Sequence, residues 1–142
     1  MKKFLSKIKI FLKRIVNKVK EILPIGIDVA NAIKKFIDSP ACDVLTMIIP
    51  GTYDDNAVRL LRKYIPLTLF ELEDCEEFLG LSDNEKLRMI ILKINSYSKA
   101  KRNLTYLGIA STLNMHLSNG QMTKPESIIS TQAYYENPEI AA

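Results

Sequence analysis

Few side chains in this 142-residue sequence belong to types that make or break bonds, and their spacing does not bring them together. His116 is the single histidine; it has no cysteine, serine or acid at a spacing that completes a triad, and one imidazole is too few for a zinc site. Cys42 falls in an apolar stretch and Cys75 in an acidic one, settings that both disfavour the thiolate. Two cysteines give neither a disulfide framework nor metal-ligand spacing, so reduced thiols made in a cytoplasm are the simpler reading. Glu76 and Glu77 are adjacent on a predicted helix and point in different directions, which argues against paired acid–base work. For calcium, Gly120 can be set at the turn glycine of an EF-hand loop, with Glu126 at its final ligand position. Met115 and Leu117 then occupy the first two ligand positions, where carboxylates are needed. There is no glycine-rich phosphate loop. The expectation is a protein that is not an enzyme, with no cofactor, no metal and no small-molecule substrate, whose work is binding and assembly.

The element that organises such a protein is Met1 to Leu23. At 100° per residue, Phe4, Leu5, Ile8, Phe11, Leu12, Ile15, Val16, Val19, Ile22 and Leu23 fall within one arc of about 140°. Lys2, Lys3, Lys7, Lys9, Lys13, Arg14, Lys18 and Lys20 fill the rest, with Ser6 and Asn17 among them; only Ile10 lies on the wrong side and only Glu21 interrupts the positive charge. The pattern predicts a cationic amphipathic helix over 1–23.

The formal net charge of +4 hides an uneven distribution. Residues 1–20 hold eight Lys/Arg and no acid, while the remainder holds twelve Lys/Arg against sixteen Asp/Glu, a net of −4. A basic arm on an acidic body suits a polyanion, an anionic membrane or an acidic patch on a neighbouring copy. The hydrophobic fraction of 47% and charged fraction of 25% are those of a globular chain of one domain. Lysines break every apolar run near the N-terminus, so no signal peptide is expected. No run of about 18–20 strongly apolar residues exists to make a transmembrane segment.

The body, residues 24–136, is predicted to be helical throughout, so the fold class is an all-α single-domain bundle of about seven helices, followed by a tail over 137–142. Pro24 should end the first helix with a kink, and a second should run from Ile25 or Gly26 to about Asp38. Ser39-Pro40 restarts a short, buried helix over Ala41–Ile49, stopped by Pro50-Gly51. Thr52 or Asp54 caps a helix from about Asp55 to Tyr64; Pro66 breaks it, and another follows from Leu67 to Leu79. Glu71, Glu73, Asp74, Glu76, Glu77, Asp83 and Glu85 form an acidic stretch with no intervening base, either a solvated face or a docking surface. Gly80 fits a helix C-cap, and Ser82 to Glu85 matches a capping box opening a helix to about Ser96. The next helix, to about Leu117, reads as central: Leu104, Leu107, Ile109, Ala110, Leu113 and Leu117 cover more than one face, and Gly108, Ala110 and Ser111 allow close helix contact. Asn119-Gly120 closes it. Thr123 to Glu126 is a second capping box, and the last helix, about Lys124–Glu136, presents Ile128, Ile129, Tyr134 and Tyr135.

Four fates compete for the leading helix. Its apolar face can pack on its own domain; dock into a groove on another subunit; lie in the plane of a membrane; or leave its cations to meet a DNA backbone, although aromatic interleaving for base stacking is absent. For docking, Phe4, Ile8, Phe11, Ile15 and Val19 are the candidate contact residues, and Lys7, Arg14 and Lys18 the candidate anion contacts.

The strings Ile22-Leu23-Pro24-Ile25-Gly26-Ile27, Lys35-Phe36-Ile37-Asp38-Ser39-Pro40, Asp43-Val44-Leu45 and Ile48-Ile49-Pro50-Gly51 form one set of motifs. With the Met-Lys-Lys opening, the turn Leu117 to Met122 and the pair Tyr134-Tyr135, the chain resembles small helical proteins encoded by crAss-like tailed bacteriophages of gut Bacteroidetes. The likeness covers most of the chain but rests on packing and turn motifs, so it implies no catalytic residue. Relatives favour Asp before the turn glycine where this chain has Asn119, which further weakens a metal at that turn. The resemblance implies a phage protein made in the host cytoplasm and carried in the virion as a capsid-associated, vertex or head component. Its partners would be other virion proteins or copies of itself, with packaged DNA or an anionic membrane surface as further contacts. The alternative it allows is a peripheral membrane-binding phage protein serving lysis or penetration of the host.

Overall fold

Apolar residues three and four apart recur along this chain, and the fold they produce is helical. The computed structural model describes residues 10, 13–14, 21–36, 43–49, 51, 53–71 and 80–137, among which six helices and no strand occur. In chain order they are α1 Leu23–Phe36, α2 Val44–Ile48, α3 Asp55–Glu71, α4 Asp83–Asn95, α5 Lys99–Leu117 and α6 Lys124–Glu136. Helix α5 is central, packing on α1, α3, α4 and α6.

Helix α1 buries Leu23, Gly26, Val29, Ala30, Ile33 and Phe36, one stripe at helical spacing, and ends in Lys34 and Lys35, whose charge suits the negative end of the helix dipole. It begins two residues earlier than expected. A turn at Glu21-Ile22 precedes it, and Pro24 sits inside the first turn, where a missing N–H costs nothing. Leu23, assigned by periodicity to the leading helix, is fully buried in α1.

Helix α2 is shorter than Ala41–Ile49. Asp43 has extended backbone and its carboxylate accepts from Thr46 N–H at 3.2 Å and from Thr46 Oγ1 at 2.7 Å, so the helix starts after it. Those two hydrogen bonds hold the Asp43 carboxyl below the ordinary aspartate pKa. The Ser39-Pro40 restart lies outside the described residues, as do Cys42, Thr52 and Cys75.

Pro66 does not break α3. The helix runs unbroken from Asp55 to Glu71, with Ala57 N–H donating to Asp54 Oδ1 at 2.7 Å at its start. Proline inside a helix costs about 3 kcal/mol through the lost hydrogen bond and ring clash. Here Leu61, Ile65, Pro66 and Leu69 are all buried, and burial of side chains of this size contributes about 1.5–3 kcal/mol each, enough to hold the helix straight through. Two residues on, Thr68 Oγ1 is buried without a hydrogen-bond partner. Thr68→Val keeps the shape and removes the stranded hydroxyl; chemical denaturation should show a gain of about 1 kcal/mol.

Both capping boxes form. Ser82 Oγ accepts from Glu85 N–H at 3.3 Å while Glu85 Oε2 accepts from Ser82 N–H at 3.2 Å, and Thr123 and Glu126 repeat the exchange at 3.3 and 3.1 Å. Asp83 and Glu85 of the acidic stretch thus sit in the first turn of α4, where the helix dipole favours them; residues 72–79 lie outside the described residues. Asn119 (φ 54°) and Gly120 (φ 87°) supply the left-handed turn that closes α5.

The last helix turns a polar stripe inward. Ser127, Ser130 and Thr131 are buried in α6, whereas Ile128, Ile129 and Tyr135 are exposed. Ser127 Oγ donates to the Ser111 carbonyl of α5, and Ser130 Oγ to Glu126 O at 2.8 Å. Small hydroxyl residues let the two helices approach closely and satisfy one another, which isoleucine and tyrosine cannot do. On α5 the close-contact residues are Ala110 and Ser111; Gly108 is not among them, because a Cβ there would meet no atom within 4 Å.

Candidate functional site

The start of α1 is held by Asn114, a fully buried amide near the C-terminal end of α5. The first turn of α1 leaves backbone N–H groups without partners inside the helix. Gly26 N–H, one of them, donates to Asn114 Oδ1 at 3.1 Å across 88 residues of sequence. Asn114 Nδ2 donates to Leu23 O at 3.3 Å and to Thr131 Oγ1 of α6 at 3.1 Å. An N–H can only donate and a carbonyl can only accept, so the amide has one workable orientation. A single side chain therefore caps α1 from outside and ties it to α5 and α6. Gly26 permits this approach: a Cβ there would overlap the Ala110 carbonyl oxygen and lie 2.6 Å from Asn114 Oδ1.

A second feature lies along the N-terminal half of α5. Leu104, one of the apolar residues that cover more than one face of α5, is 72% exposed and forms a ridge between two grooves. One groove, of about 470 Å³, runs between α1, α5 and α6, with Ile27, Leu107 and Tyr135 on its walls and Glu136 at one end. The other, also about 470 Å³, lies between α4 and α5, lined by Ile90, Ile94, Tyr97 and Gly108. Each holds a lysine over a tyrosine. Lys34 Nζ is 5.1 Å from the Tyr106 ring centre and 5.9 Å from that of Tyr135, and Lys101 Nζ is 3.9 Å from that of Tyr97. Burial pushes the Tyr106 hydroxyl up from the ordinary tyrosine pKa.

Charge gathers at the same end. Ser98 caps α5, and its first turn contains Lys99, Lys101 and Arg102 but no acid, so three cations stand at the positive end of the helix dipole. That face is electropositive and apolar together. No family model, curated protein or solved structure matches this chain.

Of the expected contact residues, Arg14 is described: it is helical and exposed, as are Lys13 and Ile10. Phe4, Ile8, Phe11, Ile15, Val19, Lys7 and Lys18 lie outside the described residues. His116 is half-buried and stacks on Tyr64, with ring centres 5.5 Å apart and planes 5° from parallel. Among the described residues, no three of His, Cys, Asp and Glu come together to hold a metal ion. None of their helices is long and apolar enough to cross a membrane.

Sequence reasoning missed Asn114 and the exposed Leu104. The signal for the first was a polar residue of poor helix propensity directly after Leu113, within the apolar run of the central helix. Nothing local marks the second, since Leu104 continues the apolar spacing of its helix.

Proposed function

We propose that this chain is a non-enzymatic structural protein of a bacteriophage virion, associated with the capsid, which assembles through its N-terminal amphipathic helix. The observation that carries the reading is the separation of charge: eight Lys/Arg and no acid in residues 1–20, opposite a wide apolar arc, on a body of net −4. The exposure of Lys13 and Arg14 on helical backbone agrees with their place on the polar arc. The likeness to crAss-like phage proteins supplies the setting.

Ile8→Asp combined with Ile15→Asp places two carboxylates on the apolar arc. Co-assembly with the other virion proteins should be lost while the helical melting temperature of the bundle stays within about 2 °C of wild type, as for surface substitutions. Global unfolding would instead mean that the arc packs on its own domain. Mass spectrometry of purified virions should find the protein. Its absence there, with co-sedimentation on anionic but not neutral vesicles at low salt, would replace this reading with that of a peripheral membrane-binding phage protein.

A further inference from the structure

We infer that the grooved, electropositive face around Leu104 docks the acidic stretch Glu71–Glu77 of a second copy of this chain. Leu104 is 72% exposed, so none of the described residues covers it, and among the described residues the walls of the grooves on either side stand open. A leucine ridge between one mainly apolar groove and one of mixed lining is the complement of an amphipathic helix, whose side-chain rows straddle such a ridge. The charge on the face selects the kind of helix. Lys34 lies in one groove and Lys101 in the other, and Lys99 and Arg102 add to the positive end of α5, against the carboxylate of Glu136 among the described lining residues. Lysines and arginine at a helix N-terminus repel the dipole, an arrangement relieved when an acidic partner covers them.

The sequence contains one stretch of matching character. From Glu71 to Glu77 five of seven residues are acidic and none is basic, and Leu72, Cys75, Phe78 and Leu79 recur at three- and four-residue spacing. A nucleic-acid backbone would satisfy the lysines but leave Leu104 and the groove walls wet. The contact is heterologous, groove to acidic stretch, so successive copies join head to tail and form a ring or an open chain. It does not use residues 1–20 and stands apart from the function proposed for them.

Sedimentation velocity on the full chain tests this. At about 0.05 M salt the mass should rise with protein concentration, and it should fall toward the monomer at about 0.5 M salt, where the Debye length is a few ångströms. Leu104→Glu should be monomeric with an unchanged circular-dichroism melt. Lys101→Glu should melt higher, since it removes a cation from the start of α5, yet associate at least tenfold more weakly; the opposed readouts separate docking from misfolding. Glu73→Lys with Glu77→Lys should also be monomeric. Mixing that double variant with Leu104→Glu should restore a 1:1 dimer, because one partner keeps the groove and the other keeps the acids. Ile8→Asp/Ile15→Asp should associate as wild type does. A wild-type chain that stays monomeric at low salt, association that survives Leu104→Glu, or a mixture that fails to pair would each overturn the proposal. Loss of association in Ile8→Asp/Ile15→Asp would do the same, by assigning self-contact to the leading helix.

Discussion

Asn114→Leu should lower the stability of the bundle by about 3–5 kcal/mol, the largest effect of any single substitution considered for this chain. The replacement is close in size and more apolar, so a purely hydrophobic account of the core expects little loss. Three groups are stranded, however: the Gly26 N–H, the Leu23 carbonyl and the Thr131 hydroxyl. Each buried, unsatisfied polar group costs about 1–3 kcal/mol, and shared relaxation keeps the total below the simple sum. A midpoint roughly 10–15 °C below wild type is the expected thermal result. Asn114→Asp supplies a control with a definite sign. Its protonated form can accept from the Gly26 N–H and donate its one O–H to the Leu23 carbonyl, with the Thr131 hydroxyl turning to donate to it, whereas its carboxylate would be buried facing the Leu23 carbonyl. The folded-state pKa of the new acid must then lie above the unfolded value, so the variant should approach wild-type stability below about pH 4 and lose ground as pH rises past it. A difference from wild type that is flat with pH would show that the amide's contacts are not what hold the junction.

Gly26→Ala should cost about 2 kcal/mol, although helix propensity alone predicts a gain of about 1 kcal/mol from the same change. The new methyl group would overlap the Ala110 carbonyl oxygen, a backbone atom that cannot rotate aside, and would push Asn114 out of reach of the Gly26 N–H. Gly108→Ala is its counterpart. That residue is also helical, but a Cβ there meets nothing within 4 Å, so propensity acts unopposed and stability should rise by about 1 kcal/mol. Urea denaturation of the two variants should therefore move the midpoint in opposite directions. Two gains would mean that α1 and α5 do not approach closely at Gly26.

Much of this architecture was legible from local chemistry. Ser82 with Glu85 and Thr123 with Glu126 announce helix starts because a side-chain oxygen and a backbone N–H three residues apart can satisfy each other with no help from the rest of the molecule. The turn at Asn119-Gly120 was readable for a similar reason: few residues tolerate positive φ. The stripe of Val29, Ala30, Ile33 and Phe36 was likewise plain from its spacing. Where local rules compete with packing, they lose. Pro66 carries a strong breaking preference, yet the buried neighbours Leu61, Ile65 and Leu69 hold α3 together through it. Of the candidate site, the uneven charge was readable from the sequence, whereas the grooves were not, since each is the gap left between helices distant in the chain.

What the amino-acid sequence determined by itself was the helical class, several of the ends of its helices, and the split between a cationic leading segment and an acidic body. These follow from periodicity, capping and residue counts, which involve neighbours within a few positions or no neighbours at all. On α5 and α6, by contrast, the inward stripe was set by packing between helices. Hydrophobicity would have buried Ile128, Ile129 and Leu104, but the close approach of α5 and α6 is made by Ser111, Ser127 and Thr131, with Asn114 joining both to α1. A helix offers several stripes for burial, and the choice falls to the partner surface it meets, which lies far away in the chain and leaves no mark on the local pattern.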